Sequence, residues 1–325
     1  MGILLKMNLF FKLLTVILIF LVFCFSAIAT ADDTSDYEKN YPQYVNSTNP
    51  LAEILANDLK DMRKSNNRLL YSVIPSSTTV SYGKLKVQQL DIYRLPGEGL
   101  NPVIFFIHGG RGDKGNVFWA VNVWMSLGYT VVSINHRSVP DNSFPEMVED
   151  CNRALKWVME NIQVYAGDSD RIAVTGISCG GHLAALLITD TKSQQKYGID
   201  ISKVACWFPM SGFYDMSLKE NLISPHIKKY IELICVPSKQ NASPSMLATG
   251  KEPPCLIIHG GDDWCVPKTN AISLFNHLDK DKTTLAILNG YMHANIFSCY
   301  SDSGHEPAKL IKNFLATHLP TEKNH

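Results

Sequence analysis

The chain has 325 residues, with 30 lysines and arginines against 30 aspartates and glutamates and a formal net charge of zero. That length suits one large domain or two small ones, and 46% apolar residues are enough for a sizeable core. The even charge balance argues against a nucleic-acid-binding surface, which requires a basic patch.

Residues 1–31 differ from the rest. Lys6 and Lys12 precede an apolar run from Leu13 to about Phe25, and Ser26-Ala-Ile-Ala-Thr-Ala31 leads into Asp32-Asp33. A positive start, an apolar middle and small residues at the end describe a secretory signal, with cleavage boxes at Ala27-x-Ala29 and Ala29-x-Ala31. The run is also close to spanning length, so residues 13–29 suit an uncleaved membrane anchor as the alternative. Either way the sequence predicts an exported protein, secreted or periplasmic, or held at a membrane by that segment.

Seven cysteines lie beyond Cys24, and none forms a C-x-x-C pair, so zinc and thioredoxin chemistry find no support. Cys206 and Cys255 fall in strand-like runs and read as small buried apolar residues. Cys265 and Cys299 lie in two loops predicted to meet, which makes them candidates for a bridge in an oxidising compartment. Residues 32–79 are polar and read as an N-terminal extension. Asn49-Pro50 opens an amphipathic helix over Leu51–Arg68, with Leu51, Ile54, Leu55 and Leu59 at helical spacing.

From about residue 80 strand-like and helix-like segments alternate to the end of the chain, so residues 80–325 read as one α/β domain. The predicted strands are Leu85–Tyr93, Pro102–Ile107, Tyr129–Asn135, Ile172–Thr175, Val204–Pro209, Cys255–Ile258 and Thr284–Leu288. The predicted helices are Val117–Leu127, Pro145 to about Tyr165, Leu183–Leu187, Asn270–Leu278 and Pro307–His318. Pro102-Val-Ile-Phe-Phe-Ile107 is apolar throughout, as a strand buried on both faces should be. Such alternation means a mostly parallel sheet covered by helices, with sites beyond the carboxyl ends of its strands. Residues 213–253, rich in lysine and serine, break the rhythm and read as a small cap.

Four stretches beyond strand ends carry chemistry. Phe106-Ile-His-Gly-Gly-Arg-Gly112 offers glycines whose backbone N–H groups can line a cavity, as an oxyanion hole requires. Gly176-Ile-Ser-Cys-Gly180 is a G-x-S-x-G turn between a strand and a helix, a nucleophile elbow with Ser178 at its apex. His259-Gly-Gly-Asp262-Asp263 delivers a carboxylate beyond a buried strand, with two aspartates competing and helix capping as the simpler role for either. His293, in Asn289-Gly-Tyr-Met-His-Ala294, is the favoured base, and His305 is its rival.

The order serine, aspartate, histidine along the chain is that of one fold. The sequence resembles the α/β-hydrolases of the esterase/lipase group, most of all the acetylxylan/feruloyl-esterase-like and kynurenine-formamidase-like carboxylesterases, over about residues 84–319. The resemblance rests on Phe-Ile-His-Gly-Gly (106–110), Ile-Asn-His-Arg (134–137), residues 144–157, Gly-Asp-Ser-Asp-Arg-Ile (167–172), Gly-Ile-Ser-Cys-Gly-Gly-His-Leu-Ala (176–184) and His-Gly-Gly-Asp-Asp-Trp-Cys-Val-Pro (259–267). The family's spacing implies Asp263 as the acid. It implies catalysis by Ser178, Asp263 and His293, and an oxyanion hole from the backbone of Cys179 and of Gly110 or Arg111. A small-molecule ester would be the substrate, with a formamide, another amide or a small peptide as the alternative and a non-catalytic binding protein as the reading from another class, and no metal or organic cofactor is implied. The chain departs from the family pattern at Cys179, where alanine is usual, at Arg111-Gly-Asp-Lys, and at His136, where tyrosine is common.

Overall fold

In a computed structural model the described residues are 77–94, 99–110, 113–138, 142, 144–219, 231–232, 239–293, 296 and 305–322. They belong to one compact unit, Ile74–His325. The secretory or anchor segment, the helix expected over 51–68, Arg111, the middle of the expected cap and Cys299 all lie outside them.

Eight strands form a single sheet among the described residues. They are β1 (Thr78–Ser81), β2 (Gln89–Tyr93), β3 (Asn101–Ile107), β4 (Thr130–Ile134), β5 (Gly167–Ile177), β6 (Val204–Met210), β7 (Cys255–Gly260) and β8 (Thr283–Leu288). Their order across the sheet is β1-β2-β4-β3-β5-β6-β7-β8. β1 and β2 pair antiparallel, and β2 runs antiparallel to β4; every later pairing is parallel. This is the mostly parallel α/β-hydrolase sheet that the alternation predicts.

The centre of the sheet is its driest part. Val103 to Ile107 in β3 and Ile172 to Val174 in β5 have no exposed surface, in keeping with side chains covered on both faces. Polarity rises outward, and at the β8 edge only Leu288 is buried.

The helices that flank the sheet are α1 (Phe118–Ser126), α2 (Phe144–Asn161), α3 (Cys179–Thr189), α4 (Thr191–Tyr197), α5 (Pro244–Leu247), α6 (Thr269–His277) and α7 (Glu306–His318). In α2 the residues Met147, Cys151, Leu155 and Val158 are buried at helical spacing while Arg153 and Glu160 are exposed. The helix ends at Asn161, earlier than its apolar pattern suggests. A single 3₁₀ turn over Ile162–Tyr165 and a left-handed Ala166 then redirect the chain into β5.

Two strand boundaries also differ from expectation. β5 starts at Gly167, because its polar opening residues pair with Asn101 and Pro102 at the start of β3. β2 starts at Gln89 rather than Leu85; residues 82–88 form a turn closed by Tyr82 N–H donating to Gln88 O at 3.0 Å. Of the segment expected to form a cap, the described ends pack into the domain: Phe213, Tyr214 and Met216 are buried, and Ser245 Oγ donates to Tyr214 O at 2.8 Å.

Candidate active site

Because β3, β5, β7 and β8 run parallel, the residues beyond their carboxyl ends fall on one edge of the sheet. Ser178 stands at the tightest of these turns. Its φ of 53° is one of three positive values among the described non-glycine residues, a strained angle for a side chain with a Cβ. The glycines around it make the turn possible. A methyl group on Gly176 would overlap the Gly180 carbonyl, and one on Gly180 would overlap the carbonyls of Ile107 and His108. The strand, the loop after β3 and the start of α3 are thus in backbone contact. Ser178 N–H donates to Met210 O at 2.9 Å, which ties the turn to β6 as well. The serine hydroxyl makes no capping bond to α3. It faces His293 instead, with Oγ 3.0 Å from Nε2.

The other ring nitrogen of His293, Nδ1, lies 2.7 Å from Asp263 Oδ2. An ionised carboxylate can only accept, so Nδ1 carries the proton and Nε2 is left to accept from the serine. Asp263 Oδ1 accepts from the backbone N–H groups of Cys265 at 2.9 Å and Val266 at 2.8 Å. The carboxylate has no solvent-exposed side-chain surface. Burial pushes its pKa up, but the facing His293 and the Val266 N–H outweigh burial and hold it below the ordinary value. The carboxylate is therefore charged at neutral pH.

The two rivals named from sequence sit elsewhere. Asp262 Oδ2 accepts from Gly290 N–H at 2.8 Å, an exposed bond between neighbouring loops. His305 flanks α7, with Nδ1 3.4 Å from the Tyr291 hydroxyl.

The loop after β3 lies against the serine turn. A Cβ on Gly109 would come within 3.7 Å of Ser178 Cβ, and one on Gly110 would come within 3.0 Å of Cys179 Sγ. This brings Gly110 and Cys179 together. His108 is a structural support of that loop. Its Nδ1–H donates to Gly109 O at 2.8 Å, and its ring stacks on His136 with centroids 4.4 Å apart. Burial, and then the neighbouring His136, push the His108 pKa down to about 3, so the ring is neutral. His136 is likewise depressed, by burial above all. It is anchored in turn through Arg137, whose guanidinium grips Asp150 at 2.7 and 2.9 Å. Asp150 takes a further bond from Gln88 at 2.7 Å. The His136 position is thus one half of a ring pair that supports the loop after β3, a pairing that sequence spacing could not reveal.

No group of three or more histidine, cysteine or acidic side chains that could hold a metal ion occurs among the described residues.

Comparison with known proteins fits this arrangement. The BD-FAE family model matches residues 90–278, which include the strands that carry the loop after β3, Ser178 and Asp263. The chain belongs to the BD-FAE family. Among curated proteins, this BD-FAE member is 31% identical over 265 residues to a probable carboxylic ester hydrolase, LipM of Mycobacterium tuberculosis, covering 75% of this chain and 61% of that protein. It is 26% identical over 242 residues to the isoprenylcysteine alpha-carbonyl methylesterase ICME of Arabidopsis thaliana, covering 67% of this chain and 56% of that one. The chain thus spans little more than half the length of these relatives. Among solved structures, a truncated carbohydrate esterase from gut microbiota superposes with a TM-score of 0.64 at 24% identity, over 76% of this chain and 98% of that one. Esterase 2 of Thermogutta terrifontis with bound butyrate gives 0.64 at 19% identity, over 77% and 96%. These two likenesses establish the α/β-hydrolase fold.

Proposed function

We propose that this BD-FAE member is a serine carboxylic ester hydrolase acting on small, short-chain esters. The observation that carries the reading is the unbroken hydrogen-bond chain from Ser178 Oγ through His293 to Asp263. The esterase names of its curated relatives support the same reaction class.

In this reading His293 Nε2 takes the hydroxyl proton as Ser178 Oγ attacks the ester carbonyl, since a neutral hydroxyl is a poor nucleophile. Asp263 orients the imidazole and stabilises the imidazolium that forms. The tetrahedral oxyanion is met by backbone N–H groups of Cys179 and of Gly110 or Arg111, near the N-terminus of α3. His293 returns the proton to the leaving alcohol, leaving an acyl group on Ser178. A water then attacks that ester by the same route and frees the acid.

The test is hydrolysis of p-nitrophenyl esters from acetate to palmitate, alongside N-formylkynurenine. The reading predicts fastest turnover of the short acyl esters. Palmitate cleaved faster than acetate and butyrate would overturn the short-chain assignment, and preferential cleavage of the formamide would make the enzyme an amidase. Export belongs to the same proposal and rests on the N-terminal run from Lys6 to Asp33. Protein recovered outside the cytoplasm with a new N-terminus near Ala29 or Ala31 would support cleavage; full-length protein in the membrane fraction would support the anchor.

A further inference from the structure

His259 is the penultimate residue of β7 and is fully buried. Its Nε2 lies 2.9 Å from the carbonyl oxygen of Val266. A carbonyl only accepts, so Nε2 carries the hydrogen, and in a neutral ring Nδ1 is then an acceptor. Nδ1 is buried without a hydrogen-bond partner among the described residues. The ring is neutral: burial depresses its pKa and outweighs the opposing pull of Asp263. Burying an imidazole costs desolvation, and an apolar side chain would avoid that cost. What the imidazole supplies in return is the bond to Val266.

That bond closes the loop Gly260–Val266, which presents the aspartate. Val266 is used at both ends of its backbone: its oxygen accepts from His259, and its N–H donates to Asp263 Oδ1 at 2.8 Å. The same His259 Nε2 lies 3.5 Å from Asp263 Oδ2, the oxygen that faces His293. We infer that His259 is the positioning residue of the acid, clamping Val266 so that Asp263 presents Oδ2 to His293. Being neutral, His259 orients the carboxylate without competing for its charge, which stays directed at the imidazolium forming on His293. This inference rests on the reading of Asp263 as the catalytic acid.

Three variants of the full chain test it. In His259→Gln the side-chain amide nitrogen can stand near the position of Nε2 and reach Val266 O. In His259→Asn it stands nearer Nδ1 and cannot. Asp263→Asn is the reference. Each is assayed for kcat and KM on p-nitrophenyl acetate, for melting temperature, and for the end-point stoichiometry of fluorophosphonate labelling, which counts folded, competent sites. The expectation is that His259→Asn labels stoichiometrically but loses kcat by roughly 10- to 100-fold, as for other supports of a catalytic ligand, with KM little changed. His259→Gln should recover most of that loss. Equal kcat in the two variants, or a loss in His259→Asn that vanishes when rates are divided by labelled sites, would overturn the inference. If Asp263→Asn itself keeps its kcat, the assignment of the acid fails instead, and the two failures are thereby told apart.

Discussion

The serine proposed as nucleophile and the histidine proposed as base are held by different means. Around Ser178 backbone meets backbone: Gly176, Gly180 and Gly181 lie against the main chains of β3, α3 and β6, and no side chain could be added without displacing a strand. Around His293 side chains do the holding. Its ring is fixed between Ser178 and Asp263, beyond β8, the half-exposed strand at the edge of the sheet. The difference follows from the role proposed for each group. The serine must sit at a strained angle, and strain persists only where the surrounding fold over-determines it. The histidine must pass a proton in both directions, and for that it needs a fixed tautomer and a charged partner rather than a rigid backbone.

The contrast predicts two kinds of damage. The largest effect should come from the hydrogen-bonded chain. Ser178→Ala should lower kcat by on the order of 10⁴-fold or more, with His293→Ala and Asp263→Asn each causing losses of several orders of magnitude. Combining them should cost little beyond the worst single change, because the three act as a unit, and melting temperatures should stay close to that of the parent protein. Next in size are the glycines. Gly176→Ala or Gly180→Ala should cost about 3 kcal/mol, the upper end of the usual overpacking range, in a denaturant titration, because the added methyl has only backbone to displace. A Gly180→Ala protein of parental stability would break the comparison.

A third effect sharpens it through pH. His108, His136, His182 and His259 are all buried with pKa values depressed chiefly by burial, to about 3 for His108 and about 4 for His182. The folded protein therefore leaves them neutral while the unfolded chain protonates them below about pH 6.5. Unfolding then takes up protons, so stability is full above that pH and falls as the pH drops. Each histidine contributes up to about 1.4 kcal/mol per pH unit. For His182 the fall ends near pH 4 and for His108 near pH 3. Denaturant midpoints measured from pH 7 to pH 4 check the sign; a midpoint that rises on acidification would contradict it. The smallest effects should come from Asp262→Asn and Cys179→Ala. Asp262 bonds only a neighbouring loop among the described residues, and Cys179 is expected to contribute its backbone rather than its thiol. Steady-state assays should find most of the activity kept in both, and a loss in Asp262→Asn rivalling that of Asp263→Asn would reverse the assignment of the acid.

How far these features could be read from sequence depended on what makes each one. β3 and the apolar part of β5 were legible because strands buried on both faces must be apolar throughout. The polar start of β5 was not, since Gly167 to Arg171 resemble a loop and become a strand only by pairing with the start of β3. The end of α2 is hidden in the sequence because Ile162 continues the apolar pattern, while the left-handed Ala166 that turns the chain leaves no strong signal in a residue with a Cβ. In the site, Ser178 announced itself through glycines that the turn requires. The choice of Asp263 over Asp262 needed the family's spacing, because both follow the same strand and only the fold decides which carboxylate turns inward. The His108–His136 stack and the His259–Val266 bond join residues whose partnership exists only in three dimensions. A histidine four residues before the acid was visible in the sequence, but nothing in that spacing says what its ring would hold.

The proposed function stands on Ser178 being a nucleophile activated by His293. Its most direct test is fluorophosphonate labelling of the full chain, followed by mass spectrometry of the peptides. The account predicts one adduct per chain, on Ser178, formed far more slowly in His293→Ala and absent in Ser178→Ala. No adduct on folded protein, or an adduct on another side chain that survives Ser178→Ala, would contradict it.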